Sequence, residues 1–120
     1  MRLGMAIVFV SDMKRSIAFY RDVIDLPLKF ETTHWTEFDT EGATLALHLA
    51  ERPAIQGLDP EHLPAAFCRP GLSVRNLSEF HQKMVERQVR VIQAPKNVFG
   101  VQIAQYADPD GLGISVSELK

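Results

Sequence analysis

Residues 39–49 read DTEGATLALHL and residues 108–118 read DPDGLGISVSE. Both open on Asp-x-acid-Gly, a turn in which glycine meets positive φ at little cost, and both run into an alternating strand. The second stretch begins 69 residues after the first. Upstream lies another pair at an offset of 64: Val8-Phe9-Val10-Ser11-Asp12 and Leu72-Ser73-Val74-Arg75-Asn76. Here a short strand ends in Asp or Asn, residues that cap helix N-termini. Two pairs in the same order predict one supersecondary unit present twice.

The segments between the pairs carry the same instruction. After Asp12, residues Met13, Ile17, Tyr20 and Ile24 form one stripe of an amphipathic helix, and Pro27 stops it. After Asn76, the stripe is Leu77, Phe80, Met84 and Val85, with Glu79 placed as in a capping box. Strands are expected over 28–32, 34–39 and 43–49 in the first half, and over 90–93, 101–106 and 112–118 in the second. Each half reads β-α-β-β-β, an α+β chain of two paired modules. Residues 51–66 hold Pro53, Gly57, Pro60 and Pro64 and read as a connector, which puts module 1 at 1–50 and module 2 at 67–120 of one domain.

Composition narrows the function classes. The 120 residues are 46% hydrophobic and 23% charged, enough for one real core without staples. Thirteen Lys and Arg against fifteen Asp and Glu leave a net charge of -2, which offers no basic footprint for nucleic acid. The longest apolar run, Met5–Val10, is far short of a membrane span and lacks the cleavage pattern of a signal peptide. The lone Cys68 excludes an internal disulfide and a multi-cysteine zinc site. A cytoplasmic location is expected. No G-x-S-x-G, Walker loop or dinucleotide fingerprint occurs.

The stretches VFVSDMKRSIAFYRDVIDLPLKF (8–30) and YADPDGLGISVSE (106–118) resemble the vicinal-oxygen-chelate superfamily, which includes glyoxalase I, bleomycin-resistance proteins and extradiol dioxygenases. The resemblance implies a curved mixed sheet around a cleft, with the helices outside. It also implies metal ligands on the first and last strands of each module. Those positions are Met5, Ala46, Arg69 and Ser115 in this chain. None offers the imidazole or carboxylate a borderline or hard divalent ion requires. The resemblance therefore implies a member without the family metal and without another cofactor. Its cleft would bind a small organic ligand, with acidic character favoured by Arg69.

Met5, Ile7, Ala46, His48, Arg69 and Ser115 are expected to share the cleft surface, opposite Leu45, Leu47, Ile114 and Val116. His48 is a candidate general base, or else an exposed strand histidine. The runner-up function is a lyase, isomerase or dioxygenase, metal-independent or recruiting metal through His48, Glu37 and His34. A third is an interaction module whose partner fills the cleft. Trp35 and Phe99 could close a pocket mouth or staple a loop. His62 and His81 read as surface residues, and Cys68 as a small buried hydrophobe. Exposed strand edges predict a homodimer.

Overall fold

Alternation in the first strand decides which way the first module faces. In a computed structural model describing residues 1–119, β1 spans Met5–Val10, with Val8 and Val10 buried and Met5, Ile7 and Phe9 exposed. The chain leaves the strand through Asp12, whose extended backbone lets its carboxylate accept from the Arg15 N–H at 3.0 Å. Helix α1 (Met13–Ala18) follows and opens into a π turn over Phe19–Val23, where the Ile24 N–H donates to the Phe19 carbonyl. Asp25 then takes a left-handed φ of 72°, and the Leu26 N–H donates to the Tyr20 carbonyl. One continuous α-helix was the expectation; its last turn is widened instead. The stripe survives, since Met13, Ile17, Tyr20 and Ile24 are all buried.

Strands β2 (Leu28–Glu31), β3 (Trp35–Phe38) and β4 (Thr44–Leu49) complete the first sheet in the order β1-β4-β3-β2. β1 and β4 are parallel and the other pairs antiparallel. The helix-side core gathers Val8, Val10, Leu45, Leu47 and Phe38 beneath Ile17 and Tyr20. Thr36, also fully buried, donates its hydroxyl to the Met13 sulfur at 3.3 Å.

The second module repeats this plan. β5 (Gly71–Val74) leads through Asn76, which caps α2 (Leu77–Glu86) by accepting from the Glu79 N–H at 3.0 Å. β6 (Val91–Val98), β7 (Val101–Ala107) and β8 (Gly113–Glu118) give the order β5-β8-β7-β6, with β5 and β8 parallel. Leu77, Met84, Ala104, Tyr106, Ile114 and Val116 are its buried core. The chain divides into two compact units, Met1–Ala54 and a second from Ile55 on.

Several expectations change at the level of single residues. Of the two aligned turns, only Gly111 has positive φ, at 86°. The first turn is built by Thr40, whose hydroxyl donates to the Ala43 carbonyl and accepts from the Gly42 N–H. The second is built by buried Asp108, which accepts from the N–H groups of Asp110 and Leu112. β6 does not stop at residue 93 but runs through Pro95, because it is the outer strand and its register shifts between Gln93 and Lys96. Cys68 is exposed rather than buried, since it precedes β5 in the connecting loop. His81 is half-buried against Tyr106, its Nδ1 2.9 Å from the phenolic oxygen. Burial pushes the Tyr106 hydroxyl up to about 12.

Candidate functional site

The parallel pairing of β1 with β4 sets Met5 beside Thr44, Ile7 beside Ala46 and Phe9 beside His48. The antiparallel pairing of β3 with β4 adds Trp35 opposite His48 and Glu37 opposite Ala46. Parity turns all of these side chains away from α1. The first sheet therefore has one face in the core and one open face, and the open face is apolar and aromatic.

His48 stands between Phe9 and Trp35 in the last row of this face. The Phe9 ring lies 4.8 Å from the imidazole at a 31° tilt, and the Trp35 indole meets it edge-on at 5.9 Å. Phe9 is 63% exposed and Ile7 50%, an unusual cost on a strand whose other face is already buried. The His48 Nδ1 sits 2.9 Å from the Leu49 carbonyl. A ring nitrogen bonded to a carbonyl carries the proton, which in the neutral ring leaves the lone pair on Nε2. Glu37 is held as well: it accepts from the Trp35 Nε1–H at 2.8 Å and stands 3.8 Å from the Lys29 ammonium. Trp35 is thereby fixed by its indole N–H while its ring flanks the imidazole. A groove of about 410 Å³ runs beside these rings, lined by Phe9, His48, Leu49, Ala50, Glu51 and Arg52.

The expected cleft residues divide between the two units. Met5, Ile7, Ala46 and His48 share the open face of the first sheet, with Ala46 fully buried as its floor. Ser115 lies on β8 beside Gly71, half-buried. Arg69 precedes β5, and its Nη1 donates to the Pro60 carbonyl at 3.1 Å, so it anchors the connector. His62 is in that connector too, fully in solvent, with Nδ1 2.7 Å from Asp59 Oδ2. The Asp59 carboxylate raises the His62 pKa, and His62 lowers that of Asp59.

The alternation of Met5, Ile7 and Phe9 against Ala6, Val8 and Val10 already sets Phe9 on one face with Met5 and Ile7. The Trp35–Glu37 pairing also had a signal, because residues two apart on a strand share a face. Among the described residues no three His, Cys, Asp or Glu side chains come together to hold a metal ion. The four positions that the resemblance assigns to metal ligands carry a thioether, a methyl, a guanidinium and a hydroxyl. That donor set does not fit a divalent ion.

Comparison with solved structures places the fold among known relatives. A glyoxalase/bleomycin resistance protein/dioxygenase superfamily member from Sphaerobacter thermophilus superposes with a TM-score of 0.78 at 20% identity, covering 99% of this chain and 98% of that one. A glyoxalase/bleomycin resistance protein/dioxygenase from Alicyclobacillus acidocaldarius gives 0.76 at 13% identity, over 97% and 89%. TioX from Micromonospora sp. ML1 gives 0.75 at 13% identity, over 98% of both chains. Comparison with curated proteins finds no significant match. The sequence profile of the Glyoxalase/Bleomycin resistance protein/Dioxygenase superfamily matches residues 2–116. With that match spanning nearly the whole length, and two β-α-β-β-β modules of the right order, the chain belongs to the glyoxalase/bleomycin resistance protein/dioxygenase superfamily.

Proposed function

We propose that this chain is a small-molecule binder of the superfamily that holds its ligand without a resident metal, on the aromatic open face of the first module. The exposed Phe9 ring stacked on His48 carries this reading. An exposed aromatic on a strand costs solubility, and a flat ligand laid against it recovers that cost. Phe9, His48 and the edge of Trp35 suit a planar organic molecule. The finer part of the proposal is an acidic group on that ligand, which salicylate carries and its amide lacks.

Trp35 is the sole tryptophan, so its fluorescence reports this face alone. Salicylate should quench it saturably, and Phe9→Ala should weaken binding by about 3- to 10-fold, the worth of one aromatic contact. Salicylate should bind roughly 10-fold more tightly than its neutral amide, as for a hydrogen bond to a charged group. Absence of saturable quenching by a panel of aromatic acids and amides would sink the reading. About one equivalent of transition metal in protein purified without chelators would sink its metal-free part. A homodimer belongs to the same proposal, since β1 and β5 each leave an edge unpaired within their own sheets. Light scattering at rising concentration checks it.

One observation supports a second reading, an enzyme of the lyase or isomerase kind. With Nδ1 tied to Leu49, Nε2 of His48 is poised to accept a proton from a molecule on this face. Turnover abolished by His48→Gln, with binding kept, would favour it.

A further inference from the structure

The open face of the second sheet is built from different material. Register places Gln93, Gln105, Ser115 and Gly71 in one row across β6, β7, β8 and β5. The next row is Lys96, Ile103, Ser117 and Ser73, with the two serine hydroxyls 3.3 Å apart. Lys96 is the one charge on these two rows. Gln105 is only 7% exposed, yet its Oε1 is buried with no hydrogen-bond partner. A buried acceptor without a donor is destabilising, and such groups are rare in folded proteins.

The space beside that oxygen is kept by a glycine. A Cβ at Gly113 would stand 3.7 Å from Gln105 Oε1 and 3.4 Å from the Ile92 Cδ1. Gly113 has ordinary φ, so no turn requires glycine there. A methyl there would rest against the Ile92 side chain and take up the space next to the amide oxygen.

We infer that Gln105, Gly113 and Ser115 form a hydrogen-bonding subsite for a neutral ligand edge bearing adjacent N–H and C=O groups, such as a lactam, imide or primary amide. The inference rests on the reading above that the chain binds small organic molecules, and it names the chemistry of a group held by the second unit alone. A primary amide side chain presents an acceptor and two donors side by side, which matches such an edge in two points. The Ser115 hydroxyl flanks it on the neighbouring strand. A bare cation is disfavoured by Lys96 on the same face and by the absence of a carboxylate in either row. The terminal torsion of glutamine is broad, so the amide can turn to meet an incoming group.

The test compares 2-pyridone with 2-methoxypyridine, which has the same ring but lacks the N–H. Backbone amide shifts of Gly113, Gln105 and Ser115 in two-dimensional nitrogen–proton NMR spectra should respond to 2-pyridone. The affinity for 2-methoxypyridine should be at least fivefold weaker. Gln105→Met keeps the length of the side chain and should erase that preference without lowering the thermal midpoint, because it removes an orphaned acceptor. Gly113→Ala should block 2-pyridone while the remaining spectrum stays folded. Equal response to both compounds, no response at these three residues, or a preference that survives Gln105→Met would overturn the inference. Trp35 quenching by salicylate reads the first module separately, so the subsite can fail while the proposed function stands.

Discussion

The two modules share strand order, parallel closure and capped helix, and they differ in what their open faces carry. The first presents Met5, Ile7, Phe9, Trp35 and His48 with Glu37; the second presents serines, glutamines and glycine with Ile103 and Lys96. On the helix side the difference vanishes, since both sheets bury aliphatic residues and one large aromatic, Phe38 or Tyr106. The fold constrains only the face that must bury itself. The open face is where one module became an aromatic wall and the other a hydrogen-bonding surface.

The largest expected effect tests whether the modules stand as separate cooperative units. Leu47 and Ile114 are both fully buried, one in each core. Truncating either to alanine should cost about 2–5 kcal/mol. In urea unfolding followed by Trp35 fluorescence, Leu47→Ala should lower the midpoint and Ile114→Ala should leave it in place, while circular dichroism registers both. A fluorescence midpoint that falls equally in both variants would mean the two halves unfold together.

A smaller effect sharpens the contrast at one hairpin. Phe99 turns the β6–β7 corner at φ 51° with its ring fully exposed, followed by Gly100 at φ 84°. Two left-handed residues in a two-residue hairpin favour Asn-Gly, and a bulky residue in the first place is strained. The first module has no such two-residue hairpin. Phe99→Asn should raise stability by about 1 kcal/mol, visible as a higher thermal midpoint. A lower midpoint would mean that the exposed ring contributes to the fold.

The smallest effect lies in the connector. His62 has a raised folded-state pKa, so its pairing with Asp59 stabilises below the ordinary histidine value and is lost as pH climbs through the raised one. Asp59 is lowered, and its share disappears as pH falls through that lowered value. The ion pair is intact between those limits. Both groups are fully exposed, so global stability should barely move. NMR titration should place the His62 midpoint above that of a histidine in an unstructured peptide, and Asp59→Asn should bring it back.

Much of this was legible because the period-two and 3.6 patterns are strict where a core demands them. The stripe at Met13, Ile17, Tyr20 and Ile24, the caps Asp12 and Asn76, and the parity of β1 all follow from burial and orphaned helix N–H groups. The open faces were harder. Phe9 and Trp35 have positions that sequence can place on a face, but their packing against His48 depends on a register between separate strands. Gln105 was not legible, since a glutamine in VQIAQYA reads as a solvated residue, and only its packed neighbours leave its Oε1 without a partner. The strand through Pro95 could be read only once β6 was known to be the outer one.

Parallel closure has a consequence for how the chain is made. In each module the first strand pairs with the last, so neither sheet closes until its final strand has left the ribosome. The first half is complete at Leu49, whereas the second waits for Glu118. At ~5–20 residues per second that interval is on the order of several seconds. Throughout it, the nascent first module carries the unpaired outer edge of β1 beside its exposed Met5, Ile7 and Phe9 side chains. Synthesis rate and chaperone supply, more than equilibrium stability, should therefore govern the yield of soluble protein when the chain is overexpressed.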